Sequence, residues 1–234
     1  MTQLKYQLKT ETVSLQSEML QITSLANLNR TIDDLFLELE KTGDANLLEE
    51  LCPYFGCVWP SAKALCNYLQ FSSVKKLLPG ADFLEVGCGL ALPSLLAAKL
   101  GAKITATDFH PEVPAFLAIN CEQNQIRGIR YESLDWRDTK SQKTSKLGLY
   151  DFIVGSDVLY ENSHSLILAH AIADHLKPSG RIVIADPARP YLQAFVDEMR
   201  RLGFQSQTTV QTVPDQPTSK EIFIVEFARG DFST

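Results

Sequence analysis

Between residues 83 and 202 short apolar runs alternate with amphipathic stretches of about ten residues, and this alternation constrains the fold more than any other feature of the chain. The runs fall at 83–86, 103–107, 129–134, 152–155 and 181–185, and the pattern between them predicts helices near 91–100, 113–124, 166–176 and 192–202. Strands joined through helices must run parallel, because a helical crossover returns the chain to the same end of the sheet. After Gly203 the pattern changes to two strand-like runs, 205–213 and 221–227, with Pro214-Asp215-Gln216-Pro217 turning between them. A hairpin forces one of its two strands to oppose the others. The expectation is an α/β fold: a doubly wound, mostly parallel seven-stranded sheet with an antiparallel C-terminal hairpin.

The first 58 residues read differently. Residues 4–23 alternate in short pieces, which predicts one or two strands, and Ile32, Leu35, Phe36 and Leu39 then recur at helical spacing until Gly43. Residues 1–58 are therefore expected to be a small N-terminal β/α extension, with the main domain at 59–234 and its first helix at 60–69, opened by Pro60. The extension holds much of the charge imbalance. Residues 1–50 carry 9 acidic and 4 basic side chains (9 − 4 = 5 net negative), whereas the whole chain has 28 against 22, a net charge of −6. A chain so balanced elsewhere lacks the basic field that phosphate backbones select, so nucleic acid is not expected as a partner.

The N-terminus has no apolar core of signal-peptide length, and no run approaches the ~18 apolar residues of a membrane span. A soluble, cytoplasmic protein with no membrane partner is expected. Five cysteines, an odd number in a chain too long to need stapling, argue against a disulfide framework. Cys52 and Cys57 have no second pair and no histidine at finger spacing, so no metal site is expected. His164, His170 and His175 read as surface or helix-end residues, and the polar 138–148 loop as a solvated connection.

Glu85-Val86-Gly87-Cys88-Gly89-Leu90-Ala91-Leu92-Pro93 lies where a strand hands over to a helix, the position at which parallel sheets bind nucleotides. Gly87 and Gly89 let the backbone turn sharply and approach a ligand. Asp108 ends the next strand, 19 residues after Gly89, where a carboxylate can accept both hydroxyl hydrogens of an adenosine ribose. Glu85 adds a second acid beside the loop. A dinucleotide pyrophosphate would be better served by bare N–H groups, and Leu92 stands where its third glycine would be, so the acids favour a cationic, phosphate-free ligand such as S-adenosylmethionine.

These residues resemble the first glycine motif and the acidic second motif of the class I, seven-stranded S-adenosylmethionine-dependent methyltransferases. Leu90 and Ala91 depart from the family, which more often has a small or polar residue and then glycine there. Three further segments, Val58-Trp59-Pro60-Ser61, Leu134-Asp135-Trp136 and Ser156-Asp157-Val158-Leu159-Tyr160-Glu161, are similar to those of the protein lysine methyltransferase group with an Asp-x-x-Tyr signature after the fourth strand. Asp186-Pro187-Ala188-Arg189-Pro190 is similar to the Asp-Pro-Gly-Arg-Pro of the branch that methylates the electron transfer flavoprotein β subunit.

The resemblance implies roles. Gly87, Cys88 and Gly89 would cradle the cofactor, Trp136 would cover the adenine while Asp135 accepts from its amine, Trp59 would close the site, and Ser156 would contact the cofactor. Asp157 and Tyr160 would hold the ammonium of a protein lysine, with water or Tyr160 assisting escape of its proton. A methyltransferase for a small amine, a cofactor-binding module without catalysis, and a nicotinamide-dependent oxidoreductase remain as alternatives. The acidic extension would then flank the substrate entrance, where it attracts a basic partner or serves as a solvated helix face.

Overall fold

The computed structural model describes residues 6–44, 47–138, 146–215 and 217–230. Seven strands form one sheet: β3 (Asp82–Val86), β4 (Lys103–Asp108), β5 (Arg130–Ser133), β6 (Tyr150–Ser156), β7 (Leu176–Asp186), β8 (Gln205–Asp215) and β9 (Thr218–Ala228), in spatial order β5-β4-β3-β6-β7-β9-β8. The first five pair in parallel, and β9 runs antiparallel to both β7 and β8. The order reverses between β3 and β6, so the chain leaves their carboxyl ends in opposite directions and opens a crevice between the loops that follow. Every predicted strand and helix of this part is present. Parts of the 138–148 loop and of the turn after Asp215 lie outside the described residues.

The central strands are buried on both faces. Phe83, Leu84 and Val86 of β3 and Ile153 and Val154 of β6 are closed to solvent. The helices α3 (Pro60–Leu69), α5 (Leu92–Lys99), α6 (Val113–Gln123), α7 (His164–Ala173) and α8 (Tyr191–Arg201) cover the two faces. The shorter α2 (Leu48–Leu51) and α4 (Ser72–Lys75) flank α3 and were not foreseen in the sequence, because four residues carry no helical period.

The N-terminal hairpin, β1 (Leu8–Ser14) with β2 (Met19–Leu25), forms its own two-stranded antiparallel sheet, but not its own core. Leu20, Ile22 and Leu25 are buried in the same cluster as Leu65, Phe83 and Phe116. Side chains of α6 close the outer edge of β2 as a third strand would. Asn120 Oδ1 accepts from the Thr23 N–H at 2.8 Å, and Asn124 both accepts from the Gln21 N–H at 2.8 Å and donates to its carbonyl at 2.7 Å. Satisfying an otherwise bare edge in this way holds the hairpin in one register. The hairpin is thus built onto the main domain and shares its core. The following helix, α1 (Leu28–Thr42), starts a turn before the predicted run, because the Asn27 side chain caps it by accepting from the Arg30 N–H. Among its residues only Leu39 is buried.

Among the described residues, no helix is long and apolar enough to cross a membrane.

Candidate active site

A cavity of about 800 Å³ opens at the carboxyl ends of β3, β4, β6 and β7. Its floor is the turn between β3 and α5. Cys88 N–H donates to the Thr107 carbonyl at 2.9 Å, and Gly89 N–H to Asp108 Oδ2 at 2.9 Å, which fastens the turn to the end of β4. Both glycines are required. A Cβ on Gly87, whose φ is +60°, would stand 2.8 Å from Val158 and 3.0 Å from Trp136, and one on Gly89, at +49°, would stand 3.0 Å from the Phe55 carbonyl oxygen. Ala91, where the resemblance leads one to expect glycine, holds the same left-handed conformation at φ +59° and starts α5.

Asp108 is buried, and its carboxylate accepts backbone N–H groups, Oδ2 from Gly89 at 2.9 Å and Oδ1 from His110 at 3.0 Å, with the Phe109 N–H as a further donor. The carboxylate lines the cavity and keeps acceptor capacity beyond these bonds. Burial pushes its carboxyl above the usual range, while these N–H bonds pull the other way. Glu85 occupies a different place. It is buried behind the loop, accepts the Ser94 N–H at 2.9 Å near the start of α5, and does not line the cavity. Burial, reinforced by the charge of Asp108, pushes its carboxyl up to about 8. The expectation that Glu85 presents a second anion to the ligand is therefore corrected: it props the helix from below, mostly as the neutral acid at pH 7.

Asp135 is also turned from the cavity. Arg137 grips it as a fork, Nε to Oδ1 at 2.9 Å and Nη2 to Oδ2 at 3.0 Å, with its backbone N–H on Oδ1 as well. Burial alone would raise this carboxyl, but the bonds from Arg137 hold it below its ordinary value. Asp135, expected to meet an adenine amine, is engaged by Arg137 instead of lining the cavity. Arg137 also stacks over Phe109, which lines the cavity beside Trp136. Trp136 is buried and meets His164 edge-on, with ring centroids 6.0 Å apart. His164 is itself closed to solvent, with Nε2 3.3 Å from the Glu161 carboxylate; as the first residue of α7 it is a helix-end residue, not a surface one. The apolar face of α7 draws that first residue inward.

Trp59 precedes α3, lines the cavity and donates from its indole N–H to the Tyr54 carbonyl at 2.9 Å. Tyr54 and Phe55 belong to a short 3₁₀ turn (Tyr54–Gly56), too short to leave a periodic pattern in the sequence. Phe55 lies against His110, with centroids 4.3 Å apart, and roofs the glycine turn. His110 ties the roof to the sheet: its Nδ1 accepts from the Glu112 N–H, which leaves Nε2 to donate to the Leu51 carbonyl at 3.2 Å. Burial lowers its pKa, in keeping with a neutral ring. Ile32 and Leu48 complete the rim, so the N-terminal segment does reach the site.

The opposite wall follows β6 and β7. Ser156, Asp157, Val158, Tyr160 and Glu161 all face the cavity, together with Arg189. Asp157 adopts φ +57°, and its N–H donates to the Ala185 carbonyl at 3.0 Å. Its Oδ1 meets Arg189 Nη2 at 2.6 Å, whereas Oδ2 is buried without a hydrogen-bond partner. Tyr160 is 38% exposed and packs edge-on against His164, with centroids 4.6 Å apart. Burial, then the charges of Glu161 and Asp108, push its phenol up to about 12, so near neutrality it keeps its proton. Among the described residues no group of three or more His, Cys, Asp or Glu side chains could hold a metal ion.

The cavity thus unites all the predicted site residues except Glu85 and Asp135. Phe55, Phe109, His110 and Arg189 also line it, although no sequence motif assigned them there. Phe109 and His110 directly follow Asp108, and Arg189 lies in a segment already singled out, so their positions were available although their roles were not.

A strand order that reverses between β3 and β6, a glycine turn below it and an acid at the end of β4 are the arrangement of the class I S-adenosylmethionine-dependent methyltransferase fold. Residues 49–201 match the lysine methyltransferase family, and the chain belongs to it. The chain is 42% identical over 107 residues to the histone-arginine methyltransferase METTL23 of Rattus norvegicus, covering 44% of this chain and 46% of that protein. It is 29% identical over 150 residues to the protein N-lysine methyltransferase METTL21A of Danio rerio, covering 62% and 66%. The chain spans about half the length of the METTL23 relatives it matches. The fold is similar to that of magnesium protoporphyrin IX methyltransferase from Synechocystis, solved with bound SAM, with a TM-score of 0.57, 17% identity, and 72% of this chain and 79% of that chain covered.

The donor set suits S-adenosylmethionine. Asp108 offers a carboxylate acceptor for a ribose hydroxyl, Trp136 and Phe109 offer apolar surface for a purine, and the Gly87–Gly89 turn leaves room that side chains would fill.

Proposed function

We propose that this protein transfers a methyl group from S-adenosylmethionine to the side-chain amine of a lysine in a protein substrate. The observation that carries the reading is the placement of Asp157 and Tyr160 in the same cavity as the glycine turn and Asp108. Bound S-adenosylmethionine supplies an electrophilic methyl carbon on a sulfonium; the amine lone pair bonds to that carbon as the electron pair of the carbon–sulfur bond returns to sulfur. The protein must therefore present an amine whose lone pair is free and aimed, since positioning supplies much of the rate in such displacements.

A lysine amine with a reference pKa of ~10.4 arrives protonated. Entry into a cavity walled by Trp136, Val158 and Leu90 disfavours its charge, and the Arg189 cation offsets part of the opposite pull of the Asp157 carboxylate. Asp157 Oδ2, the buried acceptor without a partner, receives an N–H of the amine and fixes its direction. Tyr160 keeps its phenolic hydrogen at neutral pH and so serves as a hydrogen-bonding and packing surface, not as a phenolate base. The proton passes to water at the open side of the cavity, by Tyr160 and Glu161. The five cysteines, all free, suit a cytoplasmic setting for this work.

The METTL23 relatives support arginine as a second acceptor. One experiment separates the readings. Labelled S-adenosylmethionine is incubated with the protein and a host lysate, and the labelled protein is hydrolysed. Methyllysine in the hydrolysate is expected; methylarginine, or label confined to small molecules, would overturn the lysine reading.

A further inference from the structure

Arg189 joins two carboxylates that come from neighbouring strand ends. Its backbone N–H donates to Asp186 Oδ1 at 2.7 Å and its Nη1 to Asp186 Oδ2 at 3.0 Å, while Nη2 reaches Asp157 Oδ1 at 2.6 Å. The turn that brings it back depends on Ala188, which adopts φ +62° between Pro187 and Arg189. Asp186 is closed to solvent and has both oxygens satisfied. The Asp157 side chain is only 9% exposed and has one oxygen satisfied, the other being buried with no hydrogen-bond partner. A carboxylate oxygen is a costly group to bury bare, so Oδ2 marks a place where a donor from outside the chain belongs.

We propose that Arg189 is a positioning and specificity-determining residue: by occupying Asp157 Oδ1 it leaves Oδ2 as a single acceptor, which admits a primary ammonium or amine and disfavours a guanidinium. The inference rests on reading Asp157 as the substrate anchor. A guanidinium is bound best as a planar fork on both oxygens of a carboxylate, and Arg189 already takes one of them. An amino group needs only one acceptor for each hydrogen and approaches as a compact point. Formal charge agrees: two aspartates against one arginine leave one negative charge, which one substrate cation balances. The same clamp fixes the direction of Oδ2, because a carboxylate held at Oδ1 and nearly closed to solvent cannot rotate freely.

The test compares wild type, Arg189→Met and Arg189→Lys, each saturated with S-adenosylhomocysteine. Binding of butylammonium and butylguanidinium is followed by ligand-detected NMR, and unfolding temperature and cofactor affinity report on folding. Wild type is expected to favour butylammonium by about tenfold, the value of one charge-assisted hydrogen bond. Arg189→Met frees Oδ1 and brings the two probes within about threefold of each other, mainly through tighter butylguanidinium binding. Arg189→Lys keeps the charge without the fork, so its preference falls between the two even where the Met variant folds poorly. An unchanged preference in both variants overturns the proposal, as does a wild type that binds butylguanidinium as tightly as butylammonium. A wild type that shows the preference but methylates no lysine overturns the functional reading while the clamp stands.

Discussion

The two walls of the cavity solve the same problem with different materials. On the β3–β4 side, Asp108 is held by backbone N–H groups of Gly89 and His110, on a turn whose left-handed residues fix its path. On the β6–β7 side, Asp157 is held by the guanidinium of Arg189, a side chain that substitution can remove without touching the main chain. Backbone contacts are indifferent to sequence and suit a ligand that never changes. Side-chain ion pairs can be retuned, which suits the part of a site that must distinguish one acceptor from another.

That contrast can be broken by one pair of variants. Asp157→Ala is expected to lower methyl transfer by about 100-fold or more, since it removes the group that aims the amine, while cofactor affinity stays within about threefold. Asp108→Asn is expected to do the reverse, weakening S-adenosylmethionine by about 30-fold through lost acceptor charge, with turnover at saturating cofactor much less changed. Calorimetry and saturation kinetics on both proteins check the pair. Near-normal turnover by Asp157→Ala with the cofactor bound would remove its assigned role.

A smaller effect distinguishes the cavity surface from what lies behind it. Glu85 is pushed up to about 8 by burial and by Asp108, so the folded protein holds its proton where the unfolded chain, near 4.5, has released it. Between those values the native state binds more protons than the unfolded state, and stability must fall as pH rises, levelling off above about 8. Glu85→Gln keeps an acceptor for the Ser94 N–H and removes the titration. Relative to wild type it is expected to gain on the order of 2–4 kcal/mol on going from about pH 5 to pH 8, read from denaturant unfolding at each pH. Parallel pH profiles for the two proteins would mean that Glu85 is already ionised in its buried place.

The same contrast explains what could be read without coordinates. Strand order, the glycine turn and Asp108 belong to the backbone-built side, where spacing along the chain fixes spacing in space, and these were legible. Asp135 and Glu85 were expected to face the ligand and do not line the cavity, because whether a carboxylate faces a cavity depends on partners such as Arg137 and Ser94 that no local pattern announces. Arg189 is separated from Asp157 by a whole strand–helix unit, and their pairing exists only once β6 and β7 lie side by side. The N-terminal hairpin was expected as an appendage; that it shares the core depends on Asn120 and Asn124 meeting its edge from about 100 residues away.

The smallest effect sets one alanine in each wall against the other. Ala91 at φ +59° and Ala188 at +62° both hold a conformation that costs an L-residue roughly 1–2 kcal/mol. Replacement by glycine relieves that cost and gives back about 0.5–1 kcal/mol through the freer unfolded chain, so strain alone predicts a gain of about 0.5–1 kcal/mol at each site. Burial separates them. Ala188 is exposed, so Ala188→Gly should show the gain in full. Ala91 is closed to solvent, and loss of its methyl group forfeits a further ~0.8 kcal/mol, which brings Ala91→Gly close to no change. Unfolding curves for the two variants decide the point. An equal gain at both positions would mean that the floor of the cavity yields around Ala91 as easily as the surface does around Ala188, and the rigidity assigned here to the backbone-built wall would have to be given up.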